Sequence, residues 1–168
     1  MGLFTGRIVI DPKPRSATLM DAVRDDDREL IKKTLSNGES VTQKNAYERT
    51  PLHKAAYYSG AVEVIKEFIS LGADINAVDK GNWTALHFLC RNHHNASLKL
   101  LLDMSVTKTK IELHTADLKH GWTPAHSAVI AGNREGVLLL KGAGADLSIT
   151  DRSGASVYDL LVENEIEI

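Results

Sequence analysis

Cysteine is nearly absent from this chain: Cys90 stands alone and has no partner for an internal disulfide. A surplus of charge is missing too. The 22 acidic and 20 basic side chains almost cancel, which removes the long-range field that would draw the whole chain to nucleic acid or an anionic membrane. On that count electrostatics names no partner. No stretch approaches the roughly 20 consecutive apolar residues that span a bilayer. The N-terminal MGLFTGRIVIDPKPRSA lacks a basic start followed by a long apolar stretch, and Asp11 argues against an acid-poor transit peptide. Gly2 invites a myristoylation reading, but Gly6 stands where that motif wants Ser or Thr. The expectation is a soluble intracellular protein, cytoplasmic or nuclear, without a lipid anchor and a monomer by itself. What the chain does have is apolar side chains, 43% of its 168 residues, enough for the continuous core of one domain.

Those side chains recur with a period. The segments Thr50-Pro51-Leu52-His53, Thr84-Ala85-Leu86-His87 and Thr123-Pro124-Ala125-His126 superimpose at spacings of 34 and 39 residues, a period of about 33 lengthened by insertions. Weaker copies flank them, from Ala17-Thr18-Leu19-Met20-Asp21-Ala22 on one side to Ser156-Val157-Tyr158-Asp159 on the other. Each position has a mechanical reason. Thr50, Thr84 and Thr123 carry hydroxyls suited to capping a helix, worth about 0.5 to 2 kcal/mol, and Pro51 and Pro124 sit where a missing N–H costs nothing. A second helix follows with apolar spacing near 3.6, as in Val64, Ile65, Phe68 and Ile69 or Leu98, Leu101 and Leu102. Gly38, Gly72 and Gly144 then stand where a left-handed residue ends that helix. A unit of two short helices cannot bury its own apolar face, so units must stack.

The motifs resemble the T-P-L-H-x-A signature of the ankyrin-repeat family over about nine-tenths of the chain, from Ala17 onward. That resemblance implies an all-α fold, an ankyrin-repeat solenoid of stacked helix-turn-helix units with hairpin-like finger loops. It places an N-terminal extension at 1–16 and an ankyrin-repeat domain at 17–168, with repeats at 17–49, 50–83, 84–122 and 123–155 and a C-terminal capping helix at 156–168. It also implies that His53, His87 and His126 hydrogen-bond the backbone and tie neighbouring turns together. Asn76 matches a position that asparaginyl hydroxylases modify in animal members of the family, and its side chain can satisfy backbone groups of the finger.

Departures from the repeat are more informative than agreement with it. The second repeat carries one extra residue at Tyr57-Tyr58-Ser59, expected in the turn between its helices. The third is longer by about six residues between Ser105 and Asp117, where weak alternation over Thr107 to His114 allows a short hairpin that extends the finger. The leader, with β-branched Ile8, Val9 and Ile10 before Asp11-Pro12-Lys13-Pro14, is expected to cap the first repeat, docking on a partner being the alternative. Asp25, Asp26 and Asp27 lie ahead of a helix start, where carboxylates favour the positive end of the helix.

Candidate chemistry is thin. Cys90-Arg91-Asn92-His93-His94 is the one local group with zinc-like ligand types, yet it offers three ligands, and Cys90 aligns with a small buried position. Ser127 lies beside His126, but adjacent helical residues do not face one another, so no nucleophile and base are paired. Lys141-Gly142-Ala143-Gly144 ends a helix, where the dipole repels phosphate. No cofactor, no metal and no catalysis are expected.

Carried over position by position, the repeat pattern exposes Tyr47, Arg49, Lys80, Trp83, Lys119, His120, Trp122, Arg152 and Ala155 on the fingers. First-helix positions add Lys54, Tyr57, Tyr58, Phe88, Arg91, Asn92, Ser127 and Ile130. These form one concave strip rich in Tyr, Trp and Arg, the types that dominate interface energies. Binding is favoured for Tyr57, Tyr58 and Phe88. For Trp83 and Trp122 packing on the neighbouring finger is favoured, because Trp before the signature Thr is common in the family. The expected function is non-catalytic binding of another protein through the concave finger and inner-helix surface, with no nucleic acid and no membrane as partner. The alternatives are a regulatory inhibitor subunit of an enzyme such as a kinase, or a structural subunit of a large assembly.

Overall fold

The computed structural model describes residues 18–103 and 109–168. Among these residues nine helices follow one another: α1 Leu19–Arg24, α2 Arg28–Ser36, α3 Pro51–Tyr58, α4 Val62–Ser70, α5 Ala85–Arg91, α6 Asn95–Leu102, α7 Pro124–Ile130, α8 Arg134–Gly142 and α9 Val157–Glu163. The odd-numbered helices stack side by side, α1 on α3, α3 on α5, α5 on α7 and α7 on α9. Behind them, α2, α4, α6 and α8 each pack on the helix that precedes them in the chain. This is the expected all-α solenoid, with hairpin-like loops in place of β-strands among the described residues; an isolated bridge joins Thr150 and Ser156.

The helices are short, and their ends are set by side chains. At α3, Thr50 and His53 close a reciprocal box: Thr50 N–H donates to His53 Nδ1 at 3.1 Å, and His53 N–H donates to the Thr50 hydroxyl at 3.4 Å. The same backbone-to-imidazole bond recurs at α5 and α7, with Thr84 N–H and Thr123 N–H donating to Nδ1 of His87 and His126. The outermost units use Asp in place of His. Thr18 pairs with Asp21 at α1, and Ser156 with Asp159 at α9. The first cap is therefore Thr18, one residue beyond the Ala17 that a strict period selects. Asp27, last of the acidic run, accepts from Leu30 N–H at 3.0 Å and caps α2. Gly38, Gly72 and Gly144 end the outer helices with φ near +90°, as expected of a left-handed stop.

One apolar core runs the length of the stack, from Leu19 and Ile31 through Leu52, Phe68, Leu86 and Leu101 to Leu140 and Leu161. Burying each such side chain stabilises by about 1.5 to 3 kcal/mol. No helix among the described residues is long and apolar enough to cross a membrane.

Two local expectations change. The extra residue of the second repeat is absorbed by α3, which has eight residues against seven in α5 and α7, so the following turn keeps its length. The third-repeat insertion forms no strand over 109–117. Its chain lies against the neighbouring fingers instead: Asn76 Nδ2 donates to Lys110 O at 2.9 Å, Glu112 N–H donates to Asn76 Oδ1 at 2.9 Å, and Asp146 N–H donates to His114 Nε2 at 2.8 Å. Ile111 is buried beneath it. The leader, and the stretch 104–108, fall outside the described residues.

Candidate functional site

The fingers are built on a repeated carboxylate. Asp79 Oδ1 accepts from Gly81 N–H (2.8 Å) and Trp83 N–H (3.0 Å), which folds the second fingertip. Asp117 and Asp151 do the same for the next two, accepting from His120 and Trp122, and from Ser153 and Ala155. The other oxygen of each carboxylate faces the preceding finger, where the residue just before the signature Thr donates to it: Arg49 Nε to Asp79 at 2.9 Å, Trp83 Nε1 to Asp117 at 3.2 Å and Trp122 Nε1 to Asp151 at 3.1 Å. Backbone bonds reinforce the row, Lys80 N–H to Tyr47 O, Leu118 N–H to Gly81 O and Arg152 N–H to His120 O. Burial works against the charge of Asp117, but N–H groups of His120, Trp122 and Gly121 outweigh it and hold the pKa below the ordinary carboxylate value.

Imidazoles tie the fingers to the inner helices. With Nδ1 accepting from the backbone, the proton sits on Nε2, which donates to Trp83 O from His53 (3.0 Å), to Trp122 O from His87 (3.0 Å) and to Ala155 O from His126 (3.4 Å). Burial lowers the pKa of all three, that of His87 to about 4, and favours the neutral ring this arrangement requires.

Between the fingers and helices α3 and α5 lies an open groove of about 610 Å³. Ten of the fourteen expected site residues line it: Tyr47, Arg49, Tyr57 and Lys80 toward one end, Trp83, Phe88 and Arg91 at the centre, and Lys119, His120 and Trp122 toward the other. The remaining four lie beside it. Lys54 Nζ covers the Tyr58 ring at 5.2 Å, Ile130 borders a smaller depression with Arg91, and Arg152 stands in the fourth fingertip against the third.

Exposure corrects the expected strip at two places. Phe88 is 3% exposed, because the Arg49 guanidinium lies 4.8 Å above its ring and Trp83 and Tyr57 pack at 5.1 and 5.6 Å. Ser127 is buried in the face of α7. Trp83 and Trp122 are half-buried, each with its indole N–H engaged by the next finger, and Trp122 stacks on His120 at 4.1 Å. Tyr47, Tyr57, Tyr58 and Ile130 are exposed, as expected.

Sequence reasoning missed Leu118, which lines the groove and is 58% exposed at a fingertip. The available signal was a large apolar residue in an otherwise polar turn. It also missed Asp79 and Asp117, whose side chains position the Arg and Trp of the strip. The zinc-like group is spread apart: Cys90 is buried, with its thiol pKa pushed up by desolvation, His93 Nε2 contacts Ala131 O at 2.8 Å, and the His94 ring lies over Gly60. Among the described residues no three His, Cys, Asp or Glu side chains gather as a metal site.

A stack of helix pairs bound through buried Thr–His boxes, with fingers projecting to one side, defines a repeat protein built around an extended surface. The family model for ankyrin repeats (3 copies) matches residues 19–111 and 60–151, and the chain belongs to the ankyrin-repeat family. It is 35% identical over 121 residues to a B-cell lymphoma 3 protein homolog of Mus musculus, covering 71% of this chain and 26% of that protein. Against the B-cell lymphoma 3 protein of Homo sapiens it is 31% identical, covering 80% and 29%. Against the nuclear factor NF-kappa-B p105 subunit of Gallus gallus it is 28% identical, covering 82% and 14%. The chain thus spans less than a third of the length of these relatives. Ankyrin repeats generally mediate protein–protein interaction and are not themselves catalytic.

Proposed function

We propose that this chain is a non-catalytic binding module that holds a partner protein in the groove between its fingers and helices α3 and α5. The observation that carries the reading is the convergence of Tyr47, Tyr57, Arg49, Arg91 and Trp83 on one open depression, side chains whose burial dominates protein interfaces. His53, His87 and His126 are bonded at both ring nitrogens, which leaves them to the scaffold. That one relative carries the name of a subunit agrees with a role inside a complex.

The test is to identify a stoichiometric partner by co-purification and mass spectrometry, then to measure its affinity for variants. Tyr57→Ala should weaken the complex by roughly 1 to 3 kcal/mol with little change in melting temperature, since Tyr57 is 42% exposed. Lys99→Ala, on the outer helix α6, should leave affinity unchanged. Equal losses for both variants would place the interface elsewhere.

A further inference from the structure

Resting on that reading of the groove, we infer that its occupant is an acidic segment of polypeptide with a large apolar side chain as anchor. The near-zero net charge of the chain hides a segregation that appears only in the fold. Helices α3, α5 and α7, which face the fingers, contain no Asp or Glu and contribute Lys54 and Arg91. The fingertips add Lys80, Lys119 and Arg152, all exposed. Among the described residues no carboxylate lies within ion-pair distance of any of these five cations.

The two carboxylates in the groove wall offset this charge only in part and form no ion pair with any of the five. Asp79 and Asp117 are 7% and 3% exposed, and their oxygens are occupied by the fingertip N–H groups, Arg49 and the Trp83 indole. The groove and its rim therefore carry more cations than carboxylates, and carboxylates of a partner would relieve the mutual repulsion of those five. Apolar surface stands among them: Tyr47 is 66% exposed and Leu118 58%. Both are positioned to cover an apolar side chain entering the depression. A volume of about 610 Å³ holds a few side chains, so the occupant enters as a stretch of chain.

Polypeptide fits better than nucleic acid. Trp83 and Trp122 are half-buried with their indole N–H groups fixed by Asp117 and Asp151, and Trp122 already stacks on His120, so these two rings offer little free face to a base. The unit around α9 is acidic, with exposed Glu163, Glu165 and Glu167 and no Lys or Arg from Ser156 onward, whereas Asp25 and Asp26 of the first unit are paired with Arg24 and Arg28. A long polyanion that ran on past α9 would meet repulsion there, whereas a short acidic segment would not.

The experiment is fluorescence anisotropy of the full chain with three labelled short peptides: Glu/Ser around a central Trp-Leu, the same with Lys for Glu, and the Glu peptide with Ser-Ser at its centre. The first should bind, lose affinity as NaCl rises, and lose roughly tenfold or more with Lys80→Glu combined with Lys119→Glu. Lys66→Glu combined with Lys99→Glu, on the outer helices, should change affinity less than twofold by the same reasoning. The other two peptides should bind more weakly than the first. Equal binding of the Lys peptide, equal competition by a single-stranded oligonucleotide, or no binding of the Glu peptide overturns the inference. If Tyr57→Ala disrupts the natural complex and the groove charge reversal does not, the groove remains the interface and the acidic occupant is wrong. If neither alters it, the groove reading itself falls.

Discussion

Single residues carry unusual weight here because each is used once per repeat and bonded on several sides. His87 is fully buried and neutral, with its pKa lowered by desolvation from 6.5 to about 4. The unfolded chain takes up a proton near 6.5 that the folded chain refuses until about 4. Stability is therefore full above 6.5, falls as pH drops through this window, and His87 alone accounts for roughly 3 kcal/mol of the loss. His53 and His126 shift in the same direction. The urea midpoint should fall steadily between pH 7 and pH 4.5; a flat profile over that range would show that these rings are not held neutral. Asn76 is the second such residue. Asn76→Ala removes both bonds that hold Lys110 and Glu112, and should cost about 1 kcal/mol or more. Faster amide exchange at Glu112 should accompany the loss, and an unchanged melting temperature would contradict it.

At the scale of elements, the turns are less tolerant than the helices they join. Gly60 ends α3 with φ +56°, and a Cβ there would lie 2.1 Å from the His94 ring, within the turn of the next unit. Gly60→Ala combines left-handed strain with a collision against ring and Cβ atoms that cannot swing aside, so it should cost about 2 kcal/mol or more. A loss below half of that in a urea titration would show that the turn can shift. The extra residue at Tyr57-Tyr58-Ser59 was legible in the sequence as a count, but its destination was not. Adding a helical residue preserves the Gly60 contact to the next unit, and lengthening the turn would not. The insertion behaves likewise: its weak alternation suggested a hairpin, whereas the carboxamide of Asn76, one repeat earlier, captures its backbone bonds.

For the whole molecule, stability passes between neighbours, so the last unit matters beyond its size. Helix α9 covers α7 with Val157, Leu160 and Leu161, all buried. Ending the chain at Ala155 should lower the urea midpoint markedly while most helical circular dichroism remains under native conditions. An unchanged midpoint would mean that the fourth repeat needs no cover. Charge also has meaning only at this scale. A net of −2 suggested no electrostatic preference, yet folding gathers Lys54, Lys80, Arg91, Lys119 and Arg152 along the finger side, apart from the acidic run Glu163, Glu165 and Glu167.

The sequence by itself determined the repeats, the threonines at the helix starts and the glycine stops, because these are local signals within one unit and recur at a fixed period. It also identified most of the residues around the groove, since a repeat position dictates the side on which a side chain emerges. Only the tertiary structure decided how those residues share space. Phe88 sits at an outward position by period and is nonetheless covered, because Arg49 of the preceding finger reaches over it while bonded to Asp79. Trp83 and Trp122 are anchored by carboxylates 34 and 29 residues away. Such contacts depend on the distance between adjacent units and on which long side chain arrives first, and neither is encoded in the pattern of any one repeat.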